Sequence, residues 1–176
     1  MKELNRREFL TLSGASVALL ALAACGSTPS TPVVPTTGEE AKVLQAIKKY
    51  RTAAGVEEPL ALDDGLKDAV ELVVKIAKGE MKFDEKAMEA LAKAEAGYDE
   101  VGAPIGIAFD KDTVNMMPVC VYLEDVEKMA QNLPLQVDDT AKEALKSARL
   151  IAIQVFEYGG GKYWVALVAK GKKVTP

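Results

Sequence analysis

Histidine is absent from this 176-residue chain, tryptophan occurs once, cysteine twice, and aromatic residues make up only 6% of it. Each scarcity closes off a class of chemistry. Without imidazole there is no Ser-His-Asp triad, no Cys-His nucleophile pair and no His-ligated zinc. Two cysteines allow one disulfide at most, and a lipid on one of them would leave the other without a partner. The longest apolar stretch, Phe9 to Ala24, falls short of the roughly 20 residues that span a bilayer, and Gly14 and several alanines dilute it. Basic residues are outnumbered, 22 against 26 acidic, for a net charge of −4. That balance disfavours nucleic acid and anionic lipid headgroups, both of which are read through basic surfaces.

What is present is most explicit at the N-terminus. Arg6-Arg7-Glu8-Phe9-Leu10 precedes the apolar stretch, which closes on Leu22-Ala23-Ala24-Cys25-Gly26. Paired arginines followed by Phe9 and Leu10 form the pattern read by the twin-arginine export route, and a small-residue run ending in Cys is where lipoprotein processing cuts and acylates. The sequence thus predicts a cleaved signal over residues 1–24 and a lipid on Cys25. Residues 25–38 are mostly Ser, Thr, Pro and Gly, which predicts a spacer, and residues 39–173 have the length and composition of one domain. Cleavage removes three basic and two acidic residues, leaving 19 against 24 and a net charge of about −5. The predicted location is the bacterial envelope, outside the cytoplasm, with the membrane as a partner through the lipid.

Within the domain the apolar spacing changes period. Val43, Leu44, Ile47, Tyr50 and Ala54 share a helical stripe, with lysines and Arg51 opposite. Asp63-Asp64 signals a cap for a second helix carrying Leu66, Ala69, Val70, Val73, Ile76 and Ala77. Asp84 or Glu85 opens a third, with Met88, Leu91 and Ala92 inward, and Glu124 to Gln131 and Asp138 to Lys146 predict two more. Ile105, Ile107 and Phe109 alternate as in a strand, and Met117 to Leu123 is a second extended segment. Leu150 to Phe156 and Tyr163 to Ala169, joined by a turn over residues 157–162, predict a hairpin apolar on both faces. Such a hairpin needs cover above and below, so the expected fold is α+β, a three-layer α/β/α sandwich with a mainly antiparallel central sheet.

Several local features read as structural. Gly159 to Gly161 joins two strands, so it is a hairpin turn and not a phosphate loop, which joins a strand to a helix. Cys120 stands among Pro118, Val119, Val121 and Tyr122, the setting of a buried thiol, and no base exists to activate it.

Three phrases carry a family resemblance. Leu44-Gln45-Ala46-Ile47-Lys48-Lys49-Tyr50-Arg51 through Gly55, then Pro59-Leu60 and Asp63-Asp64-Gly65-Leu66, resemble the first two helices of the CAP superfamily, which groups cysteine-rich secretory proteins, antigen 5 and pathogenesis-related 1 proteins. Ala96-Gly97-Tyr98 leading to Gly102-Ala103-Pro104-Ile105 resembles a phrase of its bacterial branch, and Gly160-Gly161-Lys162-Tyr163-Trp164 resembles its final strand. The resemblance implies a cleft where the family commonly places two histidines and two acidic residues. Here Glu85 stands where a histidine is expected and Ala103-Pro104 replaces a Glu-Asn pair, so neither zinc of the family kind nor any other cofactor is expected.

The function this implies is a non-catalytic binding module that takes a small apolar ligand, a cell-wall glycan or another envelope protein, but no nucleic acid. Tyr98, Phe109, Met117 and Tyr122 are the candidate ligand-lining residues. The rival reading is a metal-independent hydrolase using cleft carboxylates drawn from Asp84, Glu85, Glu124, Asp125, Glu127 and Glu157.

Overall fold

The computed structural model describes residues 38–110 and 115–173. The predicted signal, with Arg6, Arg7, Phe9, Leu10 and Cys25, lies outside the described residues, as does the spacer up to residue 37. Gly38 itself opens a helix, α1 (Gly38–Ala53), with Glu39 and Glu40 in its first turn, where the helix dipole favours acids. After β1 (Ala61–Leu62) and a single 3-10 turn (Asp64–Leu66) come α2 (Lys67–Ala77) and α3 (Glu85–Glu95). Short strands β2 (Tyr98–Asp99), β3 (Ile107–Asp110) and β4 (Asn115–Pro118) lead to α4 (Val126–Gln136) and α5 (Asp139–Ser147), and the chain closes with β5 (Leu150–Tyr158), β6 (Gly161–Ala169) and β7 (Gly171–Lys172).

Aspartates start four of these elements in the same way. The carboxylates of Asp63, Asp84, Asp125 and Asp138 accept backbone N–H groups of the turn that follows, at 2.8 to 3.1 Å. Each satisfies a donor that the helix cannot pair internally. The fourth helix runs five residues beyond the predicted Gln131, through Pro134. Near a helix C-terminus the missing N–H of proline forfeits a single bond, which tertiary packing of Leu133 offsets.

The hairpin of β5 and β6 is longer and its turn tighter than predicted. Pairing runs from Leu150 with Ala169 to Tyr158 with Gly161. Gly159 and Gly160 alone make the turn, with φ of 55° and 81°. Positive φ at both centre positions is what a two-residue hairpin turn requires, because it matches the twist of the strands. β1 lies parallel beside β5, and β2 with β7 and β3 with β4 form separate antiparallel pairs. The fold is therefore α+β, but the strands divide into sheets of three, two and two. The other edge of β6 is shared by two extended segments: Gly102 and Ile105 donate to the carbonyls of Val168 and Ala166, and farther along the Trp164 N–H donates to Cys120 and the Tyr122 N–H to Lys162, each at 2.9 Å.

Both faces of the hairpin are buried. Ile151, Ile153, Trp164, Ala166 and Val168 pack with Val43 and Ile47 of α1, Met129 and Leu133 of α4, and Leu145 of α5. Ala152, Phe156, Val165 and Leu167 pack with Leu66 and with Val70 and Val73 of α2. Alternation in both strands sends successive side chains to opposite clusters, as the period of a strand requires.

Two helical faces differ from expectation. Arg51 is on the buried stripe of α1 at 2% exposure, because Val43, Ile47 and Arg51 are spaced by four. In α3 the inward stripe is Ala87, Leu91 and Ala94, which leaves Met88 exposed. No helix among the described residues is long and apolar enough to cross a membrane.

Candidate functional site

The concavity nearest Ala103 and Pro104 is a groove of about 260 Å³. One wall is the segment 103–108, the other the junction of α4 and α5 at Gln136, Val137, Asp138, Thr140, Ala141 and Ala144, with Val119 between them. Non-local pairing builds the first wall. Ile105 exchanges two backbone hydrogen bonds with Ala166, and the Gly106 carbonyl accepts from the Val119 N–H at 2.9 Å. At Gly106, with φ of 90°, a Cβ would stand 2.4 Å from the Trp164 carbonyl oxygen, so only glycine lets the chain pass that close to β6. The second wall is fixed by the Asp138 carboxylate, which accepts the Ala141 N–H at 2.8 Å and so starts α5 beside the groove.

The lining is mainly small and apolar, with its polar side chains (Gln136, Asp138 and Thr140) confined to the wall of α4 and α5. An arrangement of this kind can bind an apolar body and leave a polar end at one rim. It does not present two carboxylates facing each other, because Asp138 is its one acid.

The candidate ligand-lining residues do not line this groove. Tyr98 is buried, and its hydroxyl donates to the Asp63 carboxylate, whose other oxygen pairs with Lys172 at 2.8 Å. Burial, and then the bond to Asp63, raise the tyrosine pKa well above the ordinary range. Tyr122 is buried in the cluster of α1 and α4, its ring 5.5 Å from the Lys162 ammonium. Its hydroxyl makes no hydrogen bond within geometric limits, although Glu124 and Lys42 are near enough to act on it. Phe109 is 46% exposed and stacks edge-on with Phe83, centroids 5.5 Å apart. Met117 is exposed and pairs across the strands with Ala108, which places it at the groove's margin.

The candidate carboxylates are dispersed. Asp84 and Asp125 are helix caps, and Glu85, in the first turn of α3, is exposed. Glu124 pairs with Lys42 and Glu127 with Lys49. Glu157 is exposed opposite Lys162 in the hairpin. The hydrogen bond from Lys42 holds the Glu124 carboxyl below its ordinary pKa, the reverse of what a general acid needs near neutral pH. Glu95 is displaced upward by burial, but it too is absent from the groove's lining. Among the described residues no three Cys, Asp or Glu side chains are placed to hold a metal ion. Cys120 is fully buried, and burial pushes its thiol up to about 12.

Two features escaped the sequence reading. The Arg51 guanidinium donates to the carbonyls of Leu145, Ala148 and Glu58, tying α1 to the end of α5. Asp63, Tyr98 and Lys172 join the start of α2 to the pair of β2 and β7. The spacing of Arg51 from Val43 and Ile47 was a usable signal for the first; the second has none, since its members are far apart in sequence.

No family model matches the chain, and no characterised protein matches it in sequence. Among solved structures, an outer surface protein from Borrelia burgdorferi is similar, with a TM-score of 0.51 and 19% identity over 78% of this chain and 97% of that one. At that identity the likeness is one of fold.

Proposed function

We propose that the chain is an exported, lipid-anchored envelope protein whose domain is a degenerate, non-catalytic CAP-like binding module. The observation that carries this reading is a conjunction: a leader over residues 1–24 precedes a domain whose groove is bounded by Ala103 and Pro104, two of the three positions where the resemblance places the family's cleft; Glu85, the third, is absent from its lining. In the groove small apolar groups stand where the resemblance would place a Glu-Asn pair, so capture of an apolar or amphipathic ligand is the chemistry the lining supports. Helices on both faces of the hairpin accord with the α/β/α sandwich expected of the group. The fold neighbour carries the name of an outer surface protein, which is in line with a place on the envelope. The hydrolase reading has no support from the dispersed carboxylates.

The test has two parts. Full-length protein expressed in a bacterium that processes lipoproteins is weighed intact, and an acylated mass that Cys25→Ala abolishes is the expected result. The acylated protein is then incubated with extracted envelope lipids and glycan fragments and examined by native mass spectrometry. Retained ligand that Thr140→Trp, a filled rim, expels supports capture in the groove; the bare mass throughout would refute it.

A further inference from the structure

Beside the groove, a row of apolar side chains stands in solvent. Over residues 115–122 exposure alternates strictly. Met117 is 54% exposed, Val119 37% and Val121 38%, while Cys120 and Tyr122 between and beyond them are buried. The exposed Ala108, directly across from Met117, widens the row at one end. Three residues at a spacing of two in extended chain cover about 13 Å on one face.

The other end of the row is one strand position from the contacts that lead to the start of α1. Val121 is bridged to Tyr163, and the Tyr122 N–H donates to the carbonyl of Lys162, whose ammonium in turn bonds the Glu39 carboxylate. Glu39 follows Gly38, the first residue of α1. Tyr122 and Lys162 face the opposite side of this strand pair from Val121, so the chain enters the domain behind the row, one strand position from its end.

We infer that this row is a docking strip for the surface of the bilayer that holds the lipid. The inference rests on the reading of Cys25 as acylated. Twelve residues stand between Cys25 and Gly38, and the thirteen spacings, even fully extended, reach no more than about 47 Å, so the domain never leaves the neighbourhood of the membrane. Met117, Val119 and Val121 are too few to hold a protein on a bilayer from free solution. A tether makes the contact intramolecular, with an effective concentration high enough for a weak apolar strip to stay engaged. The ion pairs around Tyr122, Lys42 with Glu124 and Lys162 with Glu39, each balance internally, so docking does not call for anionic lipid.

The test uses the full acylated chain in phosphatidylcholine vesicles, with nitroxide labels at Met117→Cys, at Val121→Cys and, as a reference on an exposed position of α3, at Lys93→Cys. Cys120 is buried and takes no label. A ratio of oxygen to nickel-chelate collisions severalfold higher at 117 and 121 than at 93 is the expected result, and two sites guard against one substitution disturbing the fold. Water-like ratios at all three positions in protein whose mass confirms acylation would overturn the docking strip and leave the anchor intact. Labels shielded from both reagents with spin–spin broadening would assign the strip to a second copy and overturn it as well. A missing acyl mass removes the anchor, and this inference falls with it.

Discussion

Arg51 donates from Nη1 to the carbonyl of Ala148 at 2.8 Å, across nearly a hundred residues of sequence. The guanidinium is 2% exposed, and its hydrogen-bond partners are all main-chain carbonyls, two of them at the end of α5, where the helix dipole is negative. Burial lowers its pKa, yet arginine keeps its proton far above any working pH.

Replacing Arg51 by Met leaves three carbonyls without their donor. The expected loss is about 2–4 kcal/mol, because an unsatisfied buried acceptor costs about 1–3 kcal/mol and bonds to a charged group are the stronger kind. Arg51→Lys should recover part of this and no more, since one ammonium cannot reach three acceptors in the fork geometry of a guanidinium. Urea denaturation of the two variants checks the ranking.

Gly106 and Gly55 separate two reasons for glycine. Both have positive φ, 90° and 77°, but a Cβ at Gly106 collides with the Trp164 carbonyl, whereas at Gly55 it meets nothing within 4 Å. Gly55→Ala should cost about 1–2 kcal/mol from backbone strain alone. Gly106→Ala adds displacement of the segment 103–108 from β6, roughly 1–3 kcal/mol more, and opens the groove wall. Thermal unfolding of the pair should show the larger loss at Gly106. Equal losses would mean that the close approach to β6 contributes nothing.

Acid should weaken the clasp formed by Asp63. Burial alone would push this carboxyl up, but bonds from Lys172, Tyr98 and the Gly65 amide outweigh it and hold the pKa below its ordinary value of 3.8. A depressed folded-state pKa gives stability that is fully present above the unfolded value and is lost as pH falls through the folded one. Stability measured by urea midpoint should therefore be flat in this contribution from pH 7 to about pH 5 and decline below pH 4. Asp63→Asn removes that decline, and its stability relative to the natural protein should be least at pH 7 and converge with it as pH falls through the folded-state pKa. Tyr98→Phe should cost about 1–2 kcal/mol at pH 7, for one hydrogen bond to a charged group.

These sites show what a linear sequence displays and what it conceals. The caps at Asp63, Asp84 and Asp138 were legible because capping is a contact within four residues. The hairpin was legible because residues 150–169 are apolar at successive positions, a pattern that needs cover on both faces. By charge Arg51 belongs in solvent, but its four-residue interval from Ile47 puts it on the buried stripe, and the spacing prevails. Met88 lies on one of two overlapping stripes that α3 offers, and the stripe turned inward is that of Ala87, Leu91 and Ala94. The groove had no local pattern at all. Its walls come from residues 103–108 and 136–144, brought together by the register of Ile105 on β6, and a one-residue slip there would turn a different set of side chains toward α5.

Thiol chemistry links the predicted leader to the fold. Cys120 is fully buried among Ile105, Trp164 and Tyr122, and burial raises its pKa to about 12, so at pH 8 almost none of it is the reactive thiolate. If Cys25 carries lipid, the folded mature protein should give no reaction with a thiol reagent, and after denaturation one equivalent should appear. Two equivalents in the denatured state would show that Cys25 is free, and one equivalent both before and after denaturation would show that Cys120 is reached in the fold. Cys120→Ser should keep the titration at zero in both states and cost about 1–3 kcal/mol, because a hydroxyl placed in this apolar contact lacks a partner that a thiol does not need. A Cys120→Ala variant of equal or greater stability than the serine variant would identify the polarity of the group, and not the space it fills, as the source of that loss.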